Sequence, residues 1–242
     1  MEAKRPGPTD PTSNRRGQLI AIGILALLLI GVLIFVSESG NDPKQSAADA
    51  GKSTKQLLSE LPQKGTRLGQ PDAPVTVTEF GDPQCPFCAQ FADDVLPSVI
   101  EDYVANGDVK LDFQPLSFIG PDSVTAGRVA AALIPTGKYW NFIDLFYKQQ
   151  KTENSGYVTD AYLSSLLMEI PGVDPAKVLK QAQLPAADKV LSRATDTAQR
   201  LGVSSTPSLF ISTADGTPEA MKADASDKAA VLAEIKSAVD SQ

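Results

Sequence analysis

Residues 75–88 read VTVTEFGDPQCPFC, and they contain a β-rich run, a turn and the only two cysteines of the chain. Val75–Phe80 is rich in valine and threonine and lies between Pro74 and Gly81, a pattern typical of a strand. Pro86 suits the first position of a helix, where a missing N–H costs nothing. The segment therefore predicts a strand, a turn and a helix that begins at the cysteines.

The residues that follow indicate an α/β fold. Apolar side chains recur at helical spacing from Phe87 to Tyr103, and Pro97 is expected to kink this helix because it has no backbone N–H. Val109–Gln114 alternates apolar and polar residues, as a strand with one solvated face does. Ser208–Ser212 predicts a further strand. Strands separated by helices are typical of α/β domains.

Several helices are predicted between and after these strands. Helical spacing of apolar residues marks the segments Ser123–Ile134, Lys138–Gln150, Thr159–Glu169, Asp174–Gln183, Ala186–Leu201 and Ser226–Val239. Asp174 is a good N-cap and Gly202 a good C-terminal stop. Asp215-Gly216 predicts a hairpin turn after the last long strand.

The spacing of Cys85 and Cys88 gives this pair a physical reason to be reactive. The free N–H groups and the positive dipole end of a helix start stabilise a thiolate, which is the nucleophile of disulfide exchange. Cys88 lies one turn further along, from where it can attack a mixed disulfide at Cys85. Because the side chain of Phe87 offers neither charge nor a hydrogen bond, any lowering of the Cys85 pKa is expected to come mainly from the backbone.

A structural disulfide and a zinc site are the other roles open to the pair. A disulfide across so short a loop constrains the unfolded chain little. A zinc site would need further ligands in a chain that has no histidine. The absence of histidine also excludes Ser-His and Cys-His nucleophiles, and the net charge of −7 argues against a nucleic-acid partner. We therefore expect no metal and no cofactor other than a redox-active disulfide.

The N-terminal part predicts a membrane anchor. Residues 19–36 carry only apolar side chains and glycine, and at about 1.5 Å per residue they span about 27 Å, close to the thickness of a bilayer core. The basic flank predicts a cytoplasmic tail over 1–17, a transmembrane signal-anchor over 18–36 and an extracytoplasmic remainder. The polar residues 37–66 predict a tether, within which Gln56–Leu61 predicts a short helix. A cleaved signal peptide, with the mature chain beginning near Gly40, is the alternative.

Three motifs occur in an order shared with a known family. They are LGQPDAPVTVTEF at 68–80, CPFC at 85–88 and GVSSTP at 202–207. Together they resemble the DsbA-like branch of the thioredoxin superfamily, in particular its membrane-anchored or secreted bacterial thiol–disulfide oxidoreductases. The resemblance implies a thioredoxin fold over 67–242, with a helical insertion over about 117–190, preceded here by the single transmembrane helix.

The resemblance also implies roles for individual residues. Cys85 is expected to be the exposed nucleophile and Cys88 the buried resolving thiol. The bond between Thr206 and Pro207 is expected to be cis and to lie beside the cysteines, where the Thr206 backbone would pair with substrate in a strand-like manner. The two residues between the cysteines, Pro86 and Phe87, are also expected to contact substrate.

Glu79 stands six residues before Cys85, where the superfamily places a buried acid below the active site. Burial would raise its pKa and let it relay the proton of Cys88; a solvated strand position is the alternative. The chain departs from the family in two places. Pro-Phe replaces the Pro-His of the strongest oxidases, which puts the oxidising strength in doubt, and Pro218 indicates a short or irregular last strand.

The function expected from these features is thiol–disulfide oxidoreductase activity outside the cytoplasm. The enzyme would oxidise thiols of exported proteins through a disulfide between Cys85 and Cys88, and a membrane redox partner would reoxidise the pair. Reductase or isomerase activity at the same site is the first alternative, since reduction potential sets the direction. A non-catalytic module that binds peptides at Thr206 and Pro207 is the second.

Overall fold

The computed structural model describes residues 53–213 and 216–242. Within these ranges one sheet forms with the strand order β1-β2-β4-β3-β5-β6, in which only the β3–β4 pair is parallel. The strands are β1 Gln63–Lys64, β2 Arg67–Leu68, β3 Val75–Gly81, β4 Val109–Pro115, β5 Ser208–Ser212 and β6 Glu219–Ala220. The strand that leads to the cysteines therefore lies between two neighbours.

Helices cover the sheet and fill the long connection between β4 and β5. They are α1 Thr54–Glu60, α2 Pro86–Asp94, α3 Leu96–Val99, α4 Pro121–Ala132, α5 Tyr139–Lys148, α6 Asp160–Met168, α7 Pro175–Ala182, α8 Pro185–Arg200 and α9 Lys228–Asp240. This arrangement is the predicted thioredoxin-like α/β fold with a helical insertion.

Local sequence signals explain where several of these elements begin and end. The helix after the cysteines is interrupted at Val95, two residues before Pro97, where the sequence predicted a kink. It continues as α3 and then as a π-helical turn over Ile100–Val104. The side chain of Asp174 caps α7 by accepting the N–H of Lys177 at 3.2 Å. Gly202 follows α8 with a φ of 72°, a left-handed conformation that glycine adopts without strain.

The last strands agree with the predicted hairpin and short edge. β5 pairs antiparallel with β6, which has only two residues and follows Pro218 directly. Asp215, half of the predicted turn, lies outside the described residues, while Gly216 lies within them.

The folded domain begins earlier than residue 67, where the sequence placed the end of the tether. Leu57 and Leu58 of α1 are buried in the main core. The Thr66 hydroxyl donates a hydrogen bond to Asp112 of β4. Asp112 is only 9% exposed, although the alternation of apolar and polar residues in β4 predicted that this face of the strand is solvated. The short helix predicted at Gln56–Leu61 corresponds to α1, but the sequence did not predict its burial, because only two leucines among polar neighbours mark its buried side.

The predicted tail over 1–17, the anchor over 18–36 and the tether up to residue 52 lie outside the described residues. Among the helices of residues 53–213 and 216–242, none combines the length and the apolar character needed to cross a bilayer.

Two core layers lie on opposite faces of the sheet and position the site. Val75, Val77 and Glu79 alternate along β3 onto the face of the main core. Phe80 points the other way, into a smaller cluster that it shares with Phe210, Leu116, Ala194 and Ala198. The second cluster fixes α8 against the end of the sheet from which the cysteine loop emerges.

Candidate active site

The cysteine loop and the residues before β5 meet at one edge of the sheet. In the register of the strands, Phe80 near the end of β3 pairs with Ser208 at the start of β5. The Cys85 sulfur therefore lies beside the loop that precedes β5, 3.4 Å from the carbonyl oxygen of Thr206. The bond between Thr206 and Pro207 is cis, as the resemblance implied.

Cys85 caps the N-terminus of α2. Its sulfur accepts the N–H of Cys88 at 3.3 Å. Hydrogen-bond donors lower the pKa of Cys85 to about 6, although burial by itself raises it. The Cys88 thiol lowers the pKa most, followed by the Thr206 hydroxyl and then by the backbone N–H groups of Cys88 and Phe87. The sequence predicted a lowered pKa, but it assigned the effect mainly to the backbone, because side-chain orientation within the first turn is not visible in sequence.

The two cysteines differ less in exposure than the resemblance implied. Cys85 was expected to be exposed, yet it is only 4% exposed and belongs to the main core cluster. Cys88 is fully buried. Burial, followed by the hydrogen bond with Cys85 and the charge of Glu79, raises the pKa of Cys88. The site therefore contains one acidic thiol next to one that resists ionisation.

Glu79 lies below this pair, in the core. It is 4% exposed, so the solvated alternative is wrong. Its Oε1 atom has no hydrogen-bond partner among the described residues, and burial first, then the charge of Cys85, raises the pKa of Glu79 to about 8. Gly81 keeps room for this carboxyl, since a Cβ there would lie 2.9 Å from Glu79 Oε1 and 2.7 Å from the Phe113 ring.

The residues between the cysteines border a groove. Pro86 is exposed, and Phe87 is 67% exposed. Phe87 lines one end of a groove of about 680 Å³ that also contacts Thr206, Pro207 and Met221; it is called the active-site groove below. The structure thus brings together all seven residues that the sequence singled out for the site: Glu79, Cys85, Pro86, Phe87, Cys88, Thr206 and Pro207.

Comparison with known proteins agrees with this geometry. The sequence pattern of the family described as Thioredoxin matches residues 62–227. The chain is a DsbA-like member of the thioredoxin superfamily. It is 32% identical over 200 residues to a probable disulfide bond formation protein D of Bacillus cereus, covering 81% of this chain and 89% of the relative.

Two further proteins are similar to this chain, one in sequence and one in fold. The disulfide bond formation protein D of Bacillus subtilis is 27% identical over 146 residues, which cover 60% of this chain and 66% of that protein. The crystal structure of oxidised BdbD from Bacillus subtilis matches with a TM-score of 0.66 at 24% identity, over 74% of this chain and 97% of that one. At this identity the structural match shows the fold.

A buried polar network holds the cysteine loop of this thioredoxin-like domain in place. Asp82 is fully buried, and its carboxylate accepts the N–H of Gln84 at 2.9 Å and that of Ile119 at 3.1 Å. Burial raises the pKa of Asp82 despite these hydrogen bonds. Gln84, also fully buried, donates to Ser123 at 2.8 Å and accepts the N–H of Asn154 at 2.7 Å.

Gln150 completes this network from the helical insertion. Its Nε2 atom donates to the carbonyl of Pro83 at 2.7 Å and to that of Cys85 at 3.2 Å. Sequence reasoning missed these residues. Asp82-Pro83-Gln84 was visible only as a turn, and the partners that give it a second role lie about 40 to 70 residues further along the chain.

Proposed function

We propose that this protein is a thiol–disulfide oxidase that introduces disulfides into exported proteins. The observation that carries the proposal is the difference between the two thiols: the pKa of Cys85 is lowered to about 6, while burial raises that of Cys88. A thiol of low pKa is a good leaving group, and a stabilised thiolate favours the reduced form of the enzyme, which makes its disulfide oxidising. The names of the Bacillus relatives, which refer to disulfide bond formation, support the same activity.

The reaction transfers two electrons from a substrate dithiol to the Cys85–Cys88 disulfide. A substrate thiolate attacks the Cys85 sulfur; the bond between the two cysteines breaks and a mixed disulfide forms through Cys85. A second substrate thiolate then attacks the substrate sulfur of this mixed disulfide, and Cys85 leaves as a thiolate. The substrate gains a disulfide, and the enzyme becomes a dithiol.

Glu79 is suited to supply the proton that Cys88 needs. When the first bond breaks, Cys88 leaves with a negative charge in a buried site that raises its pKa. Burial, the larger cause of the raised pKa of Glu79, acts whether or not Cys85 is charged, so the carboxyl group is suited to hold a proton that it can give to that sulfur. Glu79 then carries the charge until solvent returns a proton.

The loop at Thr206 and Pro207 is suited to hold the substrate next to Cys85. Proline has no N–H to compete for the carbonyl of an approaching chain. An extended peptide can pair with the Thr206 backbone while its side chains contact Pro86 and Phe87, both of which are exposed.

The equilibrium potential of the Cys85–Cys88 pair against glutathione tests the direction of the reaction. A value near −120 mV is expected for an oxidase, whereas a value near −270 mV would indicate a reductase. Oxidation of a reduced two-cysteine peptide by stoichiometric enzyme provides the direct assay. An enzyme with both cysteines replaced by serine is the control, and peptide binding without oxidation by the parent would contradict the proposal.

The site of action in this proposal is the outer face of the membrane. The apolar run over 19–36 and its basic flank support a single anchor over 18–36, with 1–17 in the cytoplasm, and a membrane redox partner would reoxidise the pair. Cell fractionation, with protease added to intact cells, tests this placement. We expect a membrane-bound chain whose domain is digested from outside; a soluble form beginning near Gly40 would instead indicate a cleaved signal peptide.

A further inference from the structure

We infer that a basic groove beside the β1–β2 hairpin binds the headgroups of anionic phospholipids and holds the domain against the outer face of the membrane. The groove has a volume of about 570 Å³ and is called the basic groove below. Its charged lining residues are Lys64, Arg67, Lys110 and Asp112. The inference rests on the membrane placement given in the proposed function and adds a binding surface to it.

Two of the basic residues face each other across the hairpin. Gly65 has a φ of 67°, which lets the chain turn tightly between β1 and β2. This turn makes Lys64 and Arg67 direct partners in the antiparallel pair. Like charges in such positions repel each other and destabilise the pairing of the strands. An anion bound in the groove would neutralise this repulsion.

The acidic side chain of the groove compensates these charges only in part. Asp112 faces Arg67 in the neighbouring strand, but it reaches only the Nε atom of Arg67, at 3.5 Å, and it also accepts a hydrogen bond from Thr66. The side chain of Arg67 remains 57% exposed. Lys64 is exposed and forms no ion pair with any residue of 53–213 or 216–242. Positive charge is therefore left over at the surface of the groove.

Lys110 adds a third positive charge at a fixed position. Its ammonium group donates a hydrogen bond to the carbonyl of Ala73, which carries no charge. Burial and then the charge of Arg67 lower the pKa of Lys110, whereas the charge of Asp72 raises it. Three basic residues thus stand against Asp112 and Asp72 in a chain whose net charge is −7. Phosphate groups fit such a groove, because Lys and Arg bind them by charge and by hydrogen bonds.

The length of chain before the domain favours a membrane as the source of these phosphates. Sixteen residues, 37–52, separate the predicted anchor from the first described residue, and so many residues span at most about 55 Å. The hairpin begins at Gln63, only ten residues further along. The headgroups are therefore always close to the groove, and each basic residue near an anionic surface strengthens the attraction about fivefold.

Docking through the basic groove leaves the active-site groove open. Residues of β1, β2 and β4 line the basic groove, whereas the active-site groove lies at β5 and β6, on the other side of β3. The two grooves have no lining residue in common. A docked domain therefore keeps Cys85 accessible to substrate polypeptides while it holds this residue near the membrane.

Energy transfer from Trp140 to a labelled lipid tests the inference on the full-length protein. Trp140 is the only tryptophan of the chain, and its indole N–H donates to the carbonyl of Thr66, a residue that lines the basic groove. The oxidised protein is reconstituted into phosphatidylcholine vesicles that contain a trace of dansyl lipid, with or without phosphatidylglycerol. We expect about twofold more efficient transfer with phosphatidylglycerol, and loss of this gain in 1 M salt, where charges are screened beyond about 3 Å.

Two charge-reversed variants show whether the gain depends on the groove. Lys64→Glu should abolish it, because the variant places a negative charge among the remaining basic residues. Lys177→Glu is the matched control: Lys177 is exposed on α7 and does not line the groove, so this variant should keep the gain. Both variants should oxidise a soluble two-cysteine peptide at the parent rate.

The outcomes separate this inference from the proposed function. An equal gain in Lys64→Glu and the parent, or no gain in the parent, would overturn the inference and leave peptide oxidation unaffected. Failure of the parent to oxidise the peptide, with the lipid-dependent gain intact, would overturn the proposed function alone. Suppression of the gain by inorganic phosphate at constant ionic strength would assign the groove to free phosphate. Faster oxidation of an acidic than of a neutral peptide, lost in Lys64→Glu and without any lipid-dependent gain, would assign it to substrate. Either assignment would overturn the inference.

Discussion

The acidity of Cys85 depends on a contact that sequence reasoning could not see. Its position at the start of α2 follows from Pro86 and the strand before it, and this much was predictable from spacing. The largest stabilising contribution, however, comes from the thiol of Cys88, followed by the Thr206 hydroxyl. These contributions depend on side-chain rotamers and on a loop about 120 residues away. Sequence therefore predicted the direction of the pKa change but not its main source.

Replacing Cys88 separates these contributions. Cys88→Ala removes the thiol donor but leaves the backbone N–H groups, so the midpoint of Cys85 alkylation should rise from about pH 6 toward, but not reach, the free-thiol value of about 8.5. Cys88→Ser keeps a hydroxyl donor and should stay closer to the parent. The rate of iodoacetamide reaction against pH gives each midpoint, and an unchanged midpoint in Cys88→Ala would show that the backbone alone stabilises the thiolate.

Glu79 should make the free energy of unfolding depend on pH. Its pKa is raised from 4.5 to about 8, so between these values the folded chain holds a proton that the unfolded chain has lost. Stability should therefore fall as pH rises from about 4.5 to 8, by roughly 3–5 kcal/mol in total. Urea unfolding of the oxidised protein, in which the cysteines do not titrate, measures the part of this slope that burial causes; the fall should be smaller there than in the reduced protein, where the charge of Cys85 raises the pKa of Glu79 further. Glu79→Gln should make the fall smaller and leave the contribution of Asp82, whose pKa burial also raises; parallel profiles for the two proteins would contradict the assignment.

At the scale of elements, the helical insertion supports the cysteine loop through Gln150, which follows α5. Gln150→Leu leaves the carbonyls of Pro83 and Cys85 without this donor, which should cost about 1–3 kcal/mol of unfolding free energy. It should also raise the alkylation midpoint of Cys85, because the start of α2 is less firmly oriented. Gln150→Glu should be worse, since a carboxylate would face two carbonyl oxygens.

The neighbouring Gln149 offers a matched control for this prediction. Its amide bonds the exposed Glu169 instead of the cysteine loop, so Gln149→Leu should change neither the unfolding free energy nor the Cys85 midpoint appreciably. Urea unfolding and the pH dependence of alkylation measure both quantities. Equal effects of the two leucine variants would mean that Gln150 acts only through general packing.

The order of the long strands and helices was predictable, because each carries its own periodicity and caps. The buried polar network was not. In the sequence, Asp82 and Gln84 look like ordinary turn residues. Once buried, each of their polar atoms needs a hydrogen-bond partner. Periodicity does not reveal which distant residue provides that partner. Asn154 illustrates the difficulty: it meets Gln84 across 70 residues of chain, in a loop with no regular structure.

At the scale of the whole molecule, the start of the folded domain can be tested by truncation. A chain beginning at residue 53 should unfold like the full-length protein. One beginning at residue 67 loses the buried Leu57 and Leu58, and each buried leucine removed typically costs about 2–5 kcal/mol. It also loses Gln63, which accepts the N–H of Trp140 at 3.0 Å. Thermal unfolding should show a much lower midpoint temperature for the chain that begins at residue 67. Equal midpoints would show that residues 53–66 belong to the tether and not to the folded domain.

The two outermost strands of the sheet, β1 and β6, have two residues each. Long open edges invite other chains to add strands and aggregate. Under the proposed function the substrates are exported polypeptides, and a long edge would let those that are unfolded add to the sheet as further strands. Edge strands of two residues offer few free backbone N–H and C=O groups. A substrate chain can therefore form few hydrogen bonds with either edge of the sheet after its disulfide has formed. Because these edges are short, we expect the oxidised product to leave rapidly, without coprecipitation of enzyme and client.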